Sequence, residues 1–218
     1  YDAGHRDLPW RSEPAPYRVW VSEIMLQQTR VEAVRGYYTR FLEALPDVRA
    51  LADVDEQRLL KLWEGLGYYS RARNLHLAAQ RVVAAFDGRL PEDYDALLSL
   101  PGVGEYTAGA IASIAYGIAV PAVDGNVLRV MARLRNDPSD ILDAAVKRRV
   151  RETLLSSMPK DEPGAFNQAL MELGATVCVP NGLPHCAACP IREHCLAHAS
   201  GTAAALPVKR GKKARRRP

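Results

Sequence analysis

The chain lacks any run of about 18 apolar residues, and its first residues, YDAGHRDLPWR, lack the apolar centre of a secretory signal. Alternating apolar and polar patterns, which strands would require, are almost absent. Of the 218 residues only four are cysteines, all between Cys178 and Cys195. We therefore expect an intracellular protein, in the cytoplasm or nucleoid if bacterial, with no membrane association and with thiols that favour a metal site over disulfides.

Positive charge is scarce outside the C-terminal end. The net charge is +4, yet residues 209–217 alone carry seven positive charges, which leaves −3 on the rest of the chain. A body of that charge does not attract a polyanion as a whole, so binding to nucleic acid would need a localised basic face or aimed backbone amides. We expect residues 201–218 to form a solvated basic tail or linker.

Helical periodicity dominates the rest of the chain. Apolar residues recur at three- and four-residue steps, and prolines and glycines separate the periodic segments. The predicted helical segments are Val19–Met25, Val31–Leu42, Leu59–Trp63, Leu75–Phe86, Ala108–Tyr116, Val127–Leu134, Val146–Leu155 and Phe166–Leu173. This pattern predicts an all-α protein with short connections.

The stretch LPGVGEYTAGA, residues 100–110, places two glycines one residue apart between two predicted helices. A turn made of Gly102, Val103 and Gly104 at the start of a helix exposes amide N–H groups that no side chain covers. Such a turn predicts an anion site, with a plain helix-to-helix turn as the alternative. A nucleotide-binding P-loop is disfavoured because no strand precedes the turn and the Gly-Lys-Ser/Thr ending is missing.

The cysteines follow the pattern CVPNGLPHCAACPIREHC, with seven, two and five residues in the successive gaps. Structural zinc usually draws on two short knuckles of closely spaced cysteines, and only Cys186 and Cys189 form one here. Four thiolates in one irregular loop suit a 4Fe–4S cluster equally well. Spacing alone leaves zinc and iron–sulfur open.

Three motifs give the chain a family resemblance from about Arg6 onward. The segment LPGVGEYTAGAIASIAYG resembles the helix-hairpin-helix of DNA repair glycosylases, and SEIMLQQT and VDGNVLRV resemble motifs of MutY-type adenine DNA glycosylases in the endonuclease III superfamily. The cysteine loop resembles the 4Fe–4S cluster loop of that family, which usually has six residues in the first gap where this chain has seven. The resemblance implies that Cys178, Cys186, Cys189 and Cys195 hold a 4Fe–4S cluster with a structural and electrostatic role.

The resemblance also implies the catalytic groups. Glu23 matches the general acid that protonates the adenine N7, and Asp124 matches the carboxylate that stabilises the sugar cation. Tyr106 stands where bifunctional relatives have a nucleophilic lysine, so we expect a monofunctional enzyme. Asn126 matches a residue that positions the aspartate. Without the resemblance, Glu23 would be read as a half-exposed helix residue and Asp124 as a simple N-cap.

Contacts with DNA and with the base follow from the same resemblance. Gln28 and Tyr68 would fill the gap left when adenine is flipped out of the duplex. Alternatively, Tyr68 belongs to the core and Gln28 is a surface residue. The residues that would surround the flipped base are Arg6, Leu8, Trp10, Arg11 and Gln168, and Trp10 alone would be read as core.

The implied architecture is a two-lobed helix-hairpin-helix glycosylase fold with DNA and chemistry in the cleft. Residues 21–134 would form a six-helix barrel, and residues 1–20 with 135–200 would form the iron–sulfur cluster lobe. The end of the sequence resembles the start of a linker to a C-terminal domain that recognises 8-oxoguanine, as in a catalytic core or a naturally short variant. We expect a monomer that binds double-stranded DNA with adenine opposite 8-oxoguanine or guanine.

Three other functions stay open on sequence. A thymine glycosylase acting on G·T mismatches shares the tyrosine at position 106, but thymine has no purine N7 for Glu23 to protonate. An endonuclease III lyase would need a lysine at that position. A catalytically silent iron–sulfur DNA-binding protein would be favoured if Glu23 and Asp124 were absent, and both are present.

Overall fold

The structure, a computed structural model, describes residues 4–210, and it confirms the all-α class. Residues 1–3 and 211–218 lie outside the described residues, and the latter carry five of the seven positive charges of the predicted basic tail. Within the described range the only strand-like pairing is an isolated bridge between Asp140 and Val208. The helices are α1 (Pro16–Leu26), α2 (Val31–Ala44), α3 (Val48–Asp53), α4 (Glu56–Trp63), α5 (Ser70–Phe86), α6 (Tyr94–Leu98), α7 (Glu105–Tyr116), α8 (Gly125–Leu134), α9 (Ala144–Ser157), α10 (Pro163–Thr176) and α11 (Leu196–Ala199).

The chain divides into two compact units. The hairpin unit comprises residues 6–122 and 159–165, and the cysteine unit comprises the remaining described residues, chiefly 123–158 and 166–210. The predicted domain boundaries, 21–134 for a barrel and 1–20 with 135–200 for a cluster lobe, stay a prediction. No described helix is both long and apolar enough to cross a bilayer.

The hairpin unit is built from helices α1 to α7 around one apolar core. Its largest fully buried side chains include Trp20, Phe41 and Trp63, and the last two meet edge to face with ring centroids 5.9 Å apart. Burial of such large rings supplies most of the driving force for packing these helices. The amphipathic spacing noted in the sequence is the local cause, because each helix presents an apolar stripe to this core.

Aspartate starts five of the helices. Asp47, Asp55, Asp93, Asp124 and Asp143 each accept a hydrogen bond from a backbone N–H in the first turn of α3, α4, α6, α8 and α9 respectively. Helix α7 differs from these five, as α1, α2 and α5 also do, because no side chain caps it; its N-cap is Gly104. The first-turn amides of α7 therefore lack the carboxylate that other helices of this chain have.

The cysteine unit packs α8 against α9 and α10. Its buried core includes Val127, Leu128, Met131, Val150 and Leu154. Helix α10 begins in the hairpin unit and continues into this unit, where the cysteine loop, residues 178–195, follows it with short 3-10 turns at Cys186–Ala188 and Arg192–His194. No residue of that loop is fully buried, and its apolar packing is limited to partly buried side chains such as Cys186 and Cys195.

Two helical glycines have opposite surroundings and give a test of the packing. A Cβ on Gly109 in α7 would lie 2.6 Å from the carbonyl oxygen of Pro121, whereas a Cβ on exposed Gly36 in α2 would meet only the end of the Arg40 side chain at 3.6 Å. We expect Gly109→Ala to lower the free energy of unfolding by about 1–3 kcal/mol, because the backbone must shift. Gly36→Ala should raise it by about 0.5–1 kcal/mol, because alanine favours the helix. Chemical denaturation measures both, and a stable Gly109→Ala protein would contradict this close packing.

Candidate active site and cysteine cavity

Glu23 and Tyr106 meet inside the hairpin unit. Glu23 lies on α1, where its side chain is 6% exposed between buried Ser22 and Ile24. Tyr106 lies in the first turn of α7, and its hydroxyl donates a hydrogen bond of 2.5 Å to Oε2 of Glu23. Residues 83 positions apart in sequence therefore form one polar pair within an apolar environment. The tyrosine fixes the direction of the carboxyl group.

The turn at residues 100–104 has the geometry of an open hairpin. Gly102 has a φ of +74°, and a Cβ there would lie 2.7 Å from Cβ of Asn74, so only glycine fits. A Cβ on Gly104 would meet nothing within 4 Å, which means that this side of the turn faces open space. Val103 is buried and anchors the turn. An external group can thus approach the backbone at the start of α7.

Gln28 and Tyr68 share an unusual backbone conformation. Gln28 has a φ of +59° and Tyr68 a φ of +47°, values in the left-handed region that non-glycine residues seldom adopt. Both side chains are exposed, Tyr68 by 63%. Tyr68 is therefore not a core residue. Strained, exposed polar and aromatic side chains are typical of functional loops.

In the cysteine unit, Asp124 is held on both carboxyl oxygens. Its Oδ1 accepts from the backbone N–H of Val127 at 2.8 Å, and its Oδ2 accepts from Nδ2 of Asn126 at 2.7 Å. The Asn126 Oδ1 in turn accepts from Nη2 of Arg129 at 2.7 Å. A Cβ on Gly174 of α10 would lie 2.6 Å from Cβ of Asn126, so the bare glycine lets the two helices approach here. Asp124 is both the N-cap of α8 and a fixed carboxyl group.

The pKa of Asp124 is raised above its usual value of 3.8. Burial is the main cause, since it disfavours the charged form. Hydrogen bonds from Val127 and Asn126 and the positive charge of Arg129 act in the opposite direction. The shift is thus upward, although capping and the helix N-terminus alone would lower the pKa.

The four cysteines line one small cavity in the cysteine unit. Positively charged or titratable side chains of Arg133, Arg192 and His198 line it too. The pKa of the Cys189 thiol is raised, first by burial, and the other three cysteines add to the increase, which indicates that the thiols are close together. Among residues 4–210, no group of three or more His, Cys, Asp or Glu side chains converges on a position for a single metal ion. Four thiols around one cavity are a donor set that fits a 4Fe–4S cluster.

The residues proposed to surround the base fall in both units. Leu8 and Trp10 are 2% and 7% exposed and belong to the core of the hairpin unit. Arg6 and Arg11 are partly exposed, and Nη1 of Arg11 donates to the carbonyl of Arg6 at 2.8 Å. Gln168 lies on α10 within the cysteine unit. Their contact with a base stays a prediction.

Three buried arginines stand out that the motifs do not identify. Arg71, Arg129 and Arg133 are 9%, 4% and 3% exposed, and they donate mainly to backbone carbonyls. Arg129 reaches the carbonyls of Cys178 and Gly174, each at 2.7 Å, and Arg133 reaches Sγ of Cys178 at 3.2 Å. Only Arg71 carries a sequence signal, since it falls on the apolar stripe of α5 with Leu75 and Val82. Arg129 and Arg133 fall on the polar face of α8, so no local pattern marks them as buried.

The Asn126 hydrogen bond makes the Asp124 pKa testable. Asn126→Ala removes a contact that lowers the pKa, so the pKa of Asp124 should rise further above 3.8. Carboxyl carbon resonances followed by NMR against pH measure it. Asp137 is an internal reference, because hydrogen bonds from Ser139, followed by Arg149, lower its pKa and neither contact involves Asn126. An Asp124 pKa that falls or stays the same in the variant would contradict this geometry.

The chain is similar in sequence to known DNA repair proteins. The pattern of the HhH-GPD superfamily base excision DNA repair proteins matches residues 21–156. Proteins named adenine DNA glycosylase are similar over most of the chain: the mouse protein is 45% identical over 95% of this chain, and one from Buchnera aphidicola of Acyrthosiphon pisum is 36% identical over 96%. The chain spans 42% of the mouse protein and 60% of the Buchnera protein.

Solved structures give the same fold. A thermostable thymine-DNA glycosylase superposes with a TM-score of 0.81 at 28% identity, covering 89% of each chain. A non-covalent endonuclease III–DNA complex superposes with a TM-score of 0.75 at 26% identity, covering 91% of this chain and 90% of the other. The matched pattern covers more than half of the residues, and it includes the hairpin, Glu23 and Asp124. The chain belongs to the HhH-GPD superfamily of base excision DNA repair proteins.

Proposed function

We propose that this chain is an adenine DNA glycosylase that hydrolyses the N-glycosidic bond of adenine opposite 8-oxoguanine or guanine. The observation that carries the proposal is the buried Glu23, held by the Tyr106 hydroxyl at 2.5 Å. Relatives up to 45% identical bear the name adenine DNA glycosylase, which supports the same substrate. The chain spans only part of those relatives, so their activity is extended to it as a proposal.

In the proposed mechanism, Glu23 gives its proton to N7 of the flipped adenine. The bond between the sugar C1′ and N9 then breaks, its electron pair leaves with the base, and the sugar gains oxocarbenium character. Asp124 stabilises that cation through its negative charge. Water then adds its hydroxyl to C1′, and the proton that it releases restores the protonated form of Glu23. Asn126 and Val127 hold the two oxygens of Asp124, which keeps the carboxyl group oriented without reorganisation during the reaction.

The raised pKa of Asp124 has a consequence for this role. The aspartate must be ionised to stabilise a cation, and burial shifts its protonation toward higher pH. The acid limb of the activity profile should therefore lie above the pH expected for an ordinary aspartate. The hydrogen bonds from Asn126 and Val127 limit this shift.

Tyr106 supports a monofunctional reaction. A lyase forms a Schiff base through an amine, and the residue at this position carries a hydroxyl that donates to Glu23 instead. We infer that water is the nucleophile and that the DNA strand stays intact after base release. Endonuclease III chemistry is disfavoured for the same reason.

For DNA binding, we propose that the hairpin of Gly102, Val103 and Gly104 holds a phosphate through its amides. The uncapped start of α7 and the open space beside Gly104 support this role. Gln28 and Tyr68 would enter the duplex where the adenine leaves, and the base would be surrounded by Arg6, Leu8, Trp10, Arg11 and Gln168. The partner is duplex DNA inside the cell, bound by a monomer.

For the cofactor, we propose a 4Fe–4S cluster held by Cys178, Cys186, Cys189 and Cys195. The cavity that these side chains line and the Arg133 donor to Cys178 Sγ suit a negatively charged thiolate cluster. Such a cluster would cross-link the loop and add local charge when bound. We propose this structural and electrostatic role because hydrolysis transfers no electrons.

A second candidate function is a thymine glycosylase acting on G·T mismatches. The TM-score of 0.81 with a thymine-DNA glycosylase favours it. The buried Glu23 disfavours it, since thymine offers no N7 to protonate. Identity of 28% to that structure against 45% to a mouse adenine DNA glycosylase also favours adenine.

Single-turnover excision on three duplexes tests the function. We expect release of adenine opposite 8-oxoguanine and opposite guanine, detected as strand cleavage after alkali, and no release of thymine opposite guanine. Glu23→Gln should slow adenine release about a hundredfold or more with unchanged duplex binding, because the amide cannot give a proton. Glu152→Gln, which removes an exposed carboxylate on α9, is the control and should behave as wild type. Preferred thymine release, or full activity of Glu23→Gln, would refute the assignment.

Iron content tests the cofactor. Purified protein should be yellow-brown with about four irons per chain and no stoichiometric zinc, since the thiols surround a cavity. Cys189→Ser should lower iron content and DNA affinity. Because Cys189 lies in the cysteine unit, its loss should leave the core of the hairpin unit folded. Colourless, fully active protein with one bound zinc would overturn the cluster assignment.

A further inference from the structure

Arg71 occupies an unusual place in the hairpin unit. It lies in the first turn of α5 and is 9% exposed. None of the six hydrogen-bond acceptors of its terminal nitrogens is a carboxylate. Nη1 donates to the carbonyls of Ile24 at 2.9 Å, Met25 at 3.0 Å and Gln27 at 2.5 Å, and Nη2 donates to the carbonyls of Leu66 at 2.9 Å and Gly67 at 3.1 Å and to Oγ1 of Thr29 at 3.2 Å. One guanidinium group thus joins the end of α1 to the loop that precedes α5.

Two of these carbonyls immediately precede the strained residues. The Gln27 carbonyl belongs to the peptide group before Gln28, and the Gly67 carbonyl belongs to the peptide group before Tyr68. The φ angle describes rotation of a residue relative to its preceding peptide group, so fixing that carbonyl restrains φ. Arg71 therefore restrains the left-handed conformation at both positions.

The strain at these positions needs such a restraint. A tyrosine with φ near +47° is unfavourable, and the side chain of Tyr68 is 63% exposed, so packing does little to hold it. Glycines precede it at positions 65 and 67, where φ is also positive. Such a segment would otherwise relax to more common conformations.

Aromatic contacts add to the restraint. The Arg71 Cζ lies 5.7 Å from the ring centroid of Tyr68 and 5.4 Å from that of Trp63. The Trp63 indole N–H also donates to the Gly67 carbonyl at 3.1 Å. The guanidinium therefore contacts both the backbone before Tyr68 and the ring that projects from it.

We propose that Arg71 is a positioning residue that holds Gln28 and Tyr68 in the conformation in which they enter the duplex. This inference rests on the proposed function of those two side chains. It differs from a purely structural role, because a structural cross-link would affect stability while leaving base unstacking per folded molecule unchanged. Arg71 touches no reacting group in this scheme.

The test separates unstacking from stability. All binding measurements use the Glu23→Gln background, so that the duplex stays intact. The duplex carries 2-aminopurine beside the target adenine, and the fluorescence of 2-aminopurine rises when it unstacks. Arg71→Lys keeps the charge but cannot reach both loops, and it should reduce the fluorescence rise. In the protein that keeps glutamate at position 23, Arg71→Lys should slow single-turnover excision about tenfold or more, as expected for loss of charged hydrogen bonds.

Val82→Ala is the matched control. Val82 lies on the same helix α5 and is fully buried, about three helical turns away from Arg71. It should lower the free energy of unfolding while leaving fluorescence and excision of the folded protein unchanged. If Arg71→Lys behaves as Val82→Ala does at comparable loss of stability, the positioning role is refuted.

Two further variants keep the outcomes distinct. Tyr68→Ala should itself abolish the fluorescence rise, and if it does not, the proposed insertion fails rather than the role of Arg71. If Tyr68→Ala has its effect and Arg71→Lys has none, the inference alone fails. The double variant should be slowed by less than the product of the two single effects, because Arg71 acts through Tyr68, and fully multiplicative effects would overturn the proposal.

Thr29→Val covers the case in which Arg71→Lys does not fold. It removes one acceptor of Nη2 and a long hydrogen bond of 3.4 Å to the Gln27 carbonyl, and it leaves the arginine and its carbonyl partners in place. We expect a smaller loss of fluorescence and excision in the same direction. Unchanged values for this variant would also count against the positioning role.

Discussion

A buried guanidinium group needs acceptors for its hydrogen bonds, and in this chain backbone carbonyls of helix ends and of the adjoining loops provide most of them. Leaving such a charge without partners would cost several kcal/mol, so the loops that supply the carbonyls are held in one shape. Arg71 does this for the segments that carry Gln28 and Tyr68. Arg129 and Arg133 do it for the start of the cysteine loop. Rigid helices thereby determine the conformation of loops that have little apolar packing of their own.

The two carboxyl groups proposed for catalysis have different surroundings. Glu23 is buried on α1 and receives the hydroxyl of Tyr106. Asp124 receives a backbone N–H and an amide, and Arg129 stands behind that amide. A proton donor and an anion with distinct surroundings are what cleavage of an N-glycosidic bond needs. Each group is fixed within its own unit by neighbours from the same unit.

Much of this fold can be predicted from the sequence, and the elements that cannot be predicted share identifiable features. All eight segments with helical spacing are helices, because each has an apolar stripe long enough to recognise. Helices α3 and α6 have six and five residues, too few for periodicity to show, and only their Asp caps would have marked them. The turn at Gly102–Gly104 follows from its glycines, because Gly102 adopts a positive φ that glycine favours.

Sequence motifs predict which residues belong to the candidate site. They do not predict the properties of those residues that depend on tertiary contacts. The motifs single out Glu23, Asp124 and the cysteines, but the upward pKa shift of Asp124 depends on burial that no local pattern reveals. The roles of Arg71 and Arg129 depend on carbonyls far away in the sequence, such as that of Gly174, which is 45 positions from Arg129. The left-handed φ of Gln28 and Tyr68 is likewise invisible, since neither residue type signals it.

A crystal structure of the Glu23→Gln variant bound to a duplex with adenine opposite 8-oxoguanine tests these roles most directly. We expect Gln28 and Tyr68 to lie within the base stack with positive φ, and the Gln27 and Gly67 carbonyls to accept from Arg71 as before. We also expect a flipped adenine beside residue 23. A complex in which both loops have changed to negative φ, or in which the two side chains lie outside the duplex, would contradict these roles.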